Sequence, residues 1–374
     1  MEEREEPETI DTHHRLFKIL EALNRVSHDF QPSHDSPDSD SSAIKALLEL
    51  RAASASLPFS LSQQISRLVD SVQELHNCKP SKHGLISFVA HRVRSHEVSR
   101  LAAGIESELR SLIDGETVSN LTKTLSAIRC SPANSPPSFD ADKLFDKITL
   151  LQERLSQGFD IQLQDLLLKS GVFAELEWVL CNPRFSITVR DKAAIAMKEL
   201  VLFNKDVFVG SVLVGGSVDA LISMNSPSSL QVLSSLIKAI KSPLVEEIES
   251  RGGISRIVGY LSEESESRAT AFNCLMEIGF FGRKEAVEAM INGGLIKKLV
   301  ELQRSYETTK TTKESPFERC VARFAVQIEM GEGLRQREKR ALKQVILNRV
   351  REACVSDAAE CATIISEVLW GSSP

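Results

Sequence analysis

Five side chains able to ligate a metal, His76, Cys78, His83, His91 and His96, are the first candidates for chemistry in this sequence. Zinc requires four such donors converging within tetrahedral reach, as a rule from two close pairs. His91 and His96 stand five apart, which turns them to different faces of a helix, so the spacing predicts no metal centre. The seven cysteines, Cys78, Cys130, Cys181, Cys274, Cys320, Cys354 and Cys361, are odd in number and unpaired in spacing, which suits reduced thiols better than a disulfide framework. Cys354 and Cys361 lie seven apart and read as packing residues on one helical face. No G-x-x-x-x-G-K-[ST] phosphate loop, G-x-G-x-x-G fingerprint, G-x-S-x-G elbow or H-E-x-x-H pair occurs. We therefore expect a non-enzymatic protein without catalytic, cofactor-binding or metal-binding residues.

That leaves recognition and its regulation. Ser36, Ser131 and Ser135 each precede a proline in a polar break and are candidate phosphorylation positions, because added phosphate charge resets local contacts. The same dipeptides are also plain turn formers. The formal charge of −6 argues against a general electrostatic grip on nucleic acid. Charge is unevenly placed: Met1 to Glu6 is acidic, whereas Arg335, Arg337, Lys339, Arg340, Lys343, Arg349 and Arg351 make the late segment basic. Interleaved with Leu334, Leu342, Val345, Ile346 and Val350, this run reads as the solvated face of a helix, or as a contact for acidic protein, phosphate or anionic lipid. No apolar run approaches the roughly 20 residues that span a bilayer, and the acidic start is unlike a secretory signal, so a cytoplasmic or nuclear location is expected.

The elements that would position such contacts are helices. With 42% hydrophobic but only 5% aromatic residues, the chain predicts an all-α fold with a core of Leu, Ile, Val, Ala and Phe. Helical spacing recurs in Leu16 to Val26, Leu47 to Leu57, Ile65 to Leu75, Leu85 to Leu112 and Val118 to Ile128. These predict a helical bundle over 11–130, after a disordered acidic N-terminus at 1–10. A Pro/Ser linker at 131–140 ends it, because three prolines and small polar residues cannot continue a helix.

Beyond the linker, over 141–370, a phrase recurs: Ser170-Gly171-Val172, Gly215-Gly216-Ser217-Val218, Gly252-Gly253-Ile254 and Gly293-Gly294-Leu295, each opening an apolar stretch. Returns of roughly forty residues predict a helical solenoid, in which each unit buries its apolar face only against the next. First helices are expected over Leu166–Ser170, Val207–Val214, Val245–Ser250 and Val287–Asn292, with glycine supplying positive φ at the corner. Val207–Val214 alone would look like a strand, but its place in the repeat favours a helix. Third helices align on Ala193–Leu200, Ser229–Leu236, Arg268–Leu275 and Arg319–Val326, and Gln303 to Pro316 reads as an exposed loop within the last repeat.

In the glycine-led second helix and the Ala-Ala-x-Ala run of the third, residues 161–330 resemble armadillo repeats. The resemblance implies a right-handed armadillo-type α-solenoid with C-terminal capping helices, and a concave protein-binding surface along the third helices. Family members that hold extended peptides carry an asparagine ladder there, often with a tryptophan one turn earlier. The aligned positions here are Glu199, Ser235, Cys274 and Ala325, preceded by Ile195, Gln231, Thr270 and Val321, so the family's clamp is replaced. The candidate groove comprises Lys192, Lys198, Glu199, Gln231, Ser235, Lys238, Thr270, Cys274 and Arg323. With Arg190, Lys205, Lys241 and Arg268 nearby, it would favour an acidic or phosphorylated segment. A bundle followed by armadillo repeats also resembles the plant U-box ubiquitin ligases, though without a U-box. The repeats lead us to expect a scaffold or adaptor; the second resemblance implies a role in ubiquitination as an alternative, and the basic C-terminal helices with the bundle offer peripheral membrane attachment as another.

Overall fold

The computed structural model describes residues 58–77, 85–130, 141–263, 265–309, 317–354 and 358–370. The acidic N-terminus, Ser36, Ser131, Ser135, Cys78, His83, the 131–140 linker and the 310–316 stretch of the expected loop lie outside them. Every regular element among the described residues is helical, and no single helix there is long and apolar enough to cross a membrane. The chain divides into two compact units, with the border between Ser119 and Asn120.

In the first unit, α1 (Phe59–Asn77) buries Leu61, Ile65, Leu68, Val69 and Val72. Helix α2 (Leu85–Cys130) buries Val98, Ala102, Ile105 and Leu109, and its Glu108 accepts hydrogen bonds from Ser60 and Gln64 of α1 at 3.0 and 2.7 Å. The sequence predicts two helices where the structure has one of 46 residues. Gly115 at the expected break costs a helix only about 1 kcal/mol, and without a proline that does not end it. The border between units thus falls inside α2, earlier than the expected linker.

The second unit is an all-α solenoid. Its core is four three-helix repeats: α4 (Ile161–Ser170), α5 (Val172–Cys181) and α6 (Ile187–Phe203); α7 (Lys205–Val214), α8 (Ser217–Met224) and α9 (Pro227–Ile240); α10 (Ser242–Ser250), α11 (Gly253–Tyr260) and α12 (Ser267–Phe281); α13 (Lys284–Asn292), α14 (Leu295–Thr309) and α15 (Cys320–Met330). Second helices α5, α8 and α11 adjoin in one row, and third helices α6, α9, α12 and α15 in another. Helix α3 (Ala141–Ser156), packed on α6, covers the start of the third-helix row. At the far end α16 (Gln336–Ala353) packs on α14 and α17 (Ala358–Trp370) on α15, covering apolar surface that a terminal repeat would otherwise expose.

Corner chemistry explains the recurring glycines in two ways. Gly171, Gly252 and Gly294 adopt the left-handed conformation at φ 66, 69 and 81°, where a side chain is strained. Gly215 does not; α7 and α8 meet there at 71°, and a Cβ would overlap the Glu177 carboxylate. That carboxylate accepts from the Ser217 backbone N–H at 3.1 Å and its hydroxyl at 2.6 Å, so one repeat caps the next repeat's second helix. Carbonyls at the helix ends are met similarly, by Tyr260 donating to Ile222 O at 2.7 Å and Lys298 to Val258 O at 2.9 Å. Arg251 joins two repeats by donating to the carbonyls of Leu213 and Gly215 at 3.0 and 2.9 Å and to Asp219 at 2.9 Å.

Cys354 and Cys361 do not share one helix: Cys354 ends α16 and is buried, and Cys361 sits half-buried on α17.

Candidate functional site

The third helices form the longest continuous row of adjacent elements in the second unit, and their exposed faces are the candidate site. Each buries most of its surface. Helix α9 hides Leu230, Val232, Leu233, Ser234, Leu236 and Ile237, leaving Gln231 and Lys238 exposed and Ser235 half-buried. Helix α12 is apolar nearly all round, burying Ala271, Phe272, Cys274, Leu275, Met276 and Ile278, with Asn273 exposed and Glu277 half-buried. Helix α15 buries Cys320, Val321, Ala322, Phe324, Ala325 and Ile328 and exposes Arg323, with Gln327 half-buried. On α6, Ile195, Lys198 and Glu199 are half-buried.

Two of the nine groove candidates change standing. Cys274 has no exposed surface; it lies beside the Ser234 hydroxyl at the α9–α12 contact, and burial pushes its thiol up to about 12. Lys192 faces α3, with its ammonium 4.2 Å from the Phe145 ring centroid. The alignment over α12 and α15 also shifts: Cys274, Val321 and Ala325 are buried, while Asn273, Glu277, Arg323 and Gln327 show the i, i+4 exposure of Gln231 and Ser235. Asn273, Glu277 and Gln327 are the functional candidates that sequence reasoning missed. Thr270 is half-buried and turned back on its own helix, donating to Ser267 O at 2.8 Å.

The rungs are fixed by contacts between helices. Lys238 of α9 pairs with Glu277 of α12 at 3.2 Å, and Ser234 meets Cys274, which brings Gln231 and Asn273 to within about one helical turn of the same height. Ser226 at the start of α9 donates to Asp191 of α6 at 2.7 Å, and Ser267 of α12 donates to Asn225 at 2.9 Å. Burial pushes the Asp191 carboxyl above its ordinary value, outweighing the Ser226 hydrogen bond and the Arg190 charge.

Electrostatically the row is neutralised in part by ion pairs. Lys198 pairs with Glu199 at 2.7 Å, Lys238 with Glu277, and Lys241 with Glu332 at 2.8 Å. Arg190 donates to Leu180 O at 2.8 Å and Arg268 to Glu263 O at 2.6 Å, while Arg323 lies 5.4 Å from the Phe272 ring centroid. The surplus of cations expected from the sequence is therefore largely engaged within the protein; Lys205 is exposed. Beside the exposed Lys238 and Arg323, the row presents neutral hydrogen-bonding capacity, with the carboxamides of Gln231, Asn273 and Gln327 each offering both donors and an acceptor.

No group of three or more His, Cys, Asp or Glu among the described residues is placed to hold a metal ion. No family model matches the chain. No curated protein matches it either. Solved structures to which it is similar include a designed armadillo repeat protein, at 18% identity over 67% of this chain and 97% of that one, with a TM-score of 0.44. Another designed armadillo repeat protein, in complex with peptide (KR)4, is 19% identical over 67% and 97% of the two chains, with a TM-score of 0.45. An engineered protein aligns over 94% of this chain and 88% of its own at 14% identity and a TM-score of 0.45.

Proposed function

We propose that the chain is a non-enzymatic binding scaffold that holds a segment of a partner protein across the exposed faces of α6, α9, α12 and α15. The observation that carries this reading is the recurrence of Gln231, Asn273 and Gln327 on three adjacent helices whose apolar sides are buried. Carboxamides spaced along a rigid row match the alternating donors and acceptors of a polypeptide main chain. Because Lys198 and Lys238 of the row are paired with Glu199 and Glu277, main-chain and polar contacts, more than net attraction for acid, set the selectivity of this face.

A narrower form of the same reading makes the chain an adaptor in ubiquitination, working in the cytoplasm or nucleus. Absence of any ligase or ubiquitin conjugate among co-purifying proteins would remove that form and leave the broader one standing. The test of the broader form is affinity capture with the full chain and with a Gln231→Ala/Asn273→Ala variant. Losing two hydrogen-bonding side chains, each contributing about 1 kcal/mol, should weaken a groove-bound partner by tenfold or more. Equal recovery of every partner by both proteins would exclude the row as the binding surface.

A further inference from the structure

The outer face of α16 holds charge that the surrounding structure leaves unneutralised. From Arg335 to Ala353 the sequence has seven cations against two carboxylates, in a chain whose formal charge is −6. Some of these cations are engaged: Lys339 donates to Gly331 O at 2.8 Å, Lys343 pairs with Glu329 at 3.0 Å and Arg349 with Glu352 at 2.7 Å. Arg337, Arg340 and Arg351 are exposed and have no carboxylate within ion-pair distance among the described residues. Arg351 donates instead to the neutral Asn348 side chain at 2.9 Å, which also accepts from Gln344 at 3.3 Å. At helical spacing, Arg337, Arg340, Gln344, Asn348 and Arg351 form one stripe about 21 Å long.

We propose that this stripe is a docking surface for a carboxylate-rich segment of a partner protein, separate from the third-helix row. Stability alone does not account for the arginines. Arg337 lies in the first turn of α16, where the positive end of the helix dipole disfavours cations, and Arg340 follows just beyond it. Guanidinium forks suit carboxylates held in bidentate geometry, and an extended peptide of about six residues spans the stripe. Charge complementarity therefore fixes the chemistry of the occupant as acidic.

Two other anionic surfaces fit less well. An interfacial helix inserts an apolar face into lipid, but Leu342, Ile346, Leu347 and Val350 of α16 are buried, and Val345 is its one exposed large apolar side chain. Single-stranded nucleic acid is gripped by aromatic stacking as well as charge, and α16 contains no aromatic residue.

The test uses the full chain and a labelled peptide of eight glutamates, read by fluorescence anisotropy at low salt. Binding is expected, and Arg337→Glu/Arg340→Glu should weaken it by tenfold or more, as should a rise in ionic strength. Acidic residues suit a helix N-terminus, so the variant should keep or raise its Tm, separating lost binding from lost fold. Gln231→Ala/Asn273→Ala should leave peptide binding unchanged, which keeps this proposal distinct from that for the third-helix row. Failure of the peptide to bind, indifference to the double charge reversal, or tighter binding of phosphatidylserine vesicles or single-stranded RNA through the same arginines would overturn it.

Discussion

Replacing Arg251 by alanine removes one polar junction between the second and third repeats, and its cost can be worked from the contacts. The guanidinium reaches Leu213 O, Gly215 O and Asp219 at 3.0, 2.9 and 2.9 Å, and its side chain is 22% exposed. A hydrogen bond from a charged donor contributes about 1.5–3 kcal/mol when buried, and partial solvent access roughly halves the two carbonyl contributions. Pairs with the part-exposed Asp219 and Glu247 add at most about 0.5 kcal/mol each. The total is about 1.5–4 kcal/mol, or roughly 3–8 °C in Tm at about 2 °C per kcal/mol for a unit of this size. Thermal unfolding followed by circular dichroism would measure it, and hydrogen exchange should show the loosening concentrated in α7 and α8, next to the lost carbonyl partners. Arg251→Lys keeps the charge but not the fork and should recover only part of the loss. A change under about 0.5 kcal/mol for the alanine variant, or a lysine variant equal to wild type, would refute the reasoning.

Truncating Phe272, fully buried between Phe317 and Arg323, should cost about 3–5 kcal/mol in chemical denaturation; a cost below about 1 kcal/mol would mean the α12–α15 contact is wrongly described. Burial pushes the thiols of Cys274 and Cys320 up to about 12, so at pH 8 native alkylation read by mass spectrometry should label exposed Cys130 well before either. Burial raises the Asp160 carboxyl, but the N–H groups of Leu163 and Gln162, together with Arg154, outweigh it and hold the group below its ordinary value. Its contribution is thus complete at neutral pH and lost as pH falls through the depressed folded value. Asp160→Ala should cost about 1 kcal/mol at pH 7 and progressively less on acidification; a gap that widens as pH falls would contradict the cap.

The repeat was legible because its signals are local. Glycine at Gly171, Gly252 and Gly294 marks a left-handed backbone need that few other residues meet without strain, and the helical assignment of Val207–Val214 follows once the repeat register overrides β-branched propensity. The exposed face of α12 was not legible. Ala271, Phe272, Cys274, Leu275, Met276, Ile278 and Gly279 are buried around nearly the whole helix, so no apolar stripe fixes its rotation, and alignment placed Cys274 where Asn273 and Glu277 face outward. Charge pairing was hidden for a different reason. Lys238 looked available for an acidic partner because its counter-ion, Glu277, belongs to the next repeat, whereas Arg337 and Arg340 meet no such partner among the described residues.

The most direct test of the central claim is site-specific photo-crosslinking in the full chain. A benzophenone amino acid at Asn273, on the exposed third-helix row, is compared with one at Ser255, exposed on α11. The account predicts a discrete crosslinked partner from position 273 that is absent from position 255 and lost when Gln231 is also changed to alanine. The same product from Ser255, or none from Asn273, would contradict it.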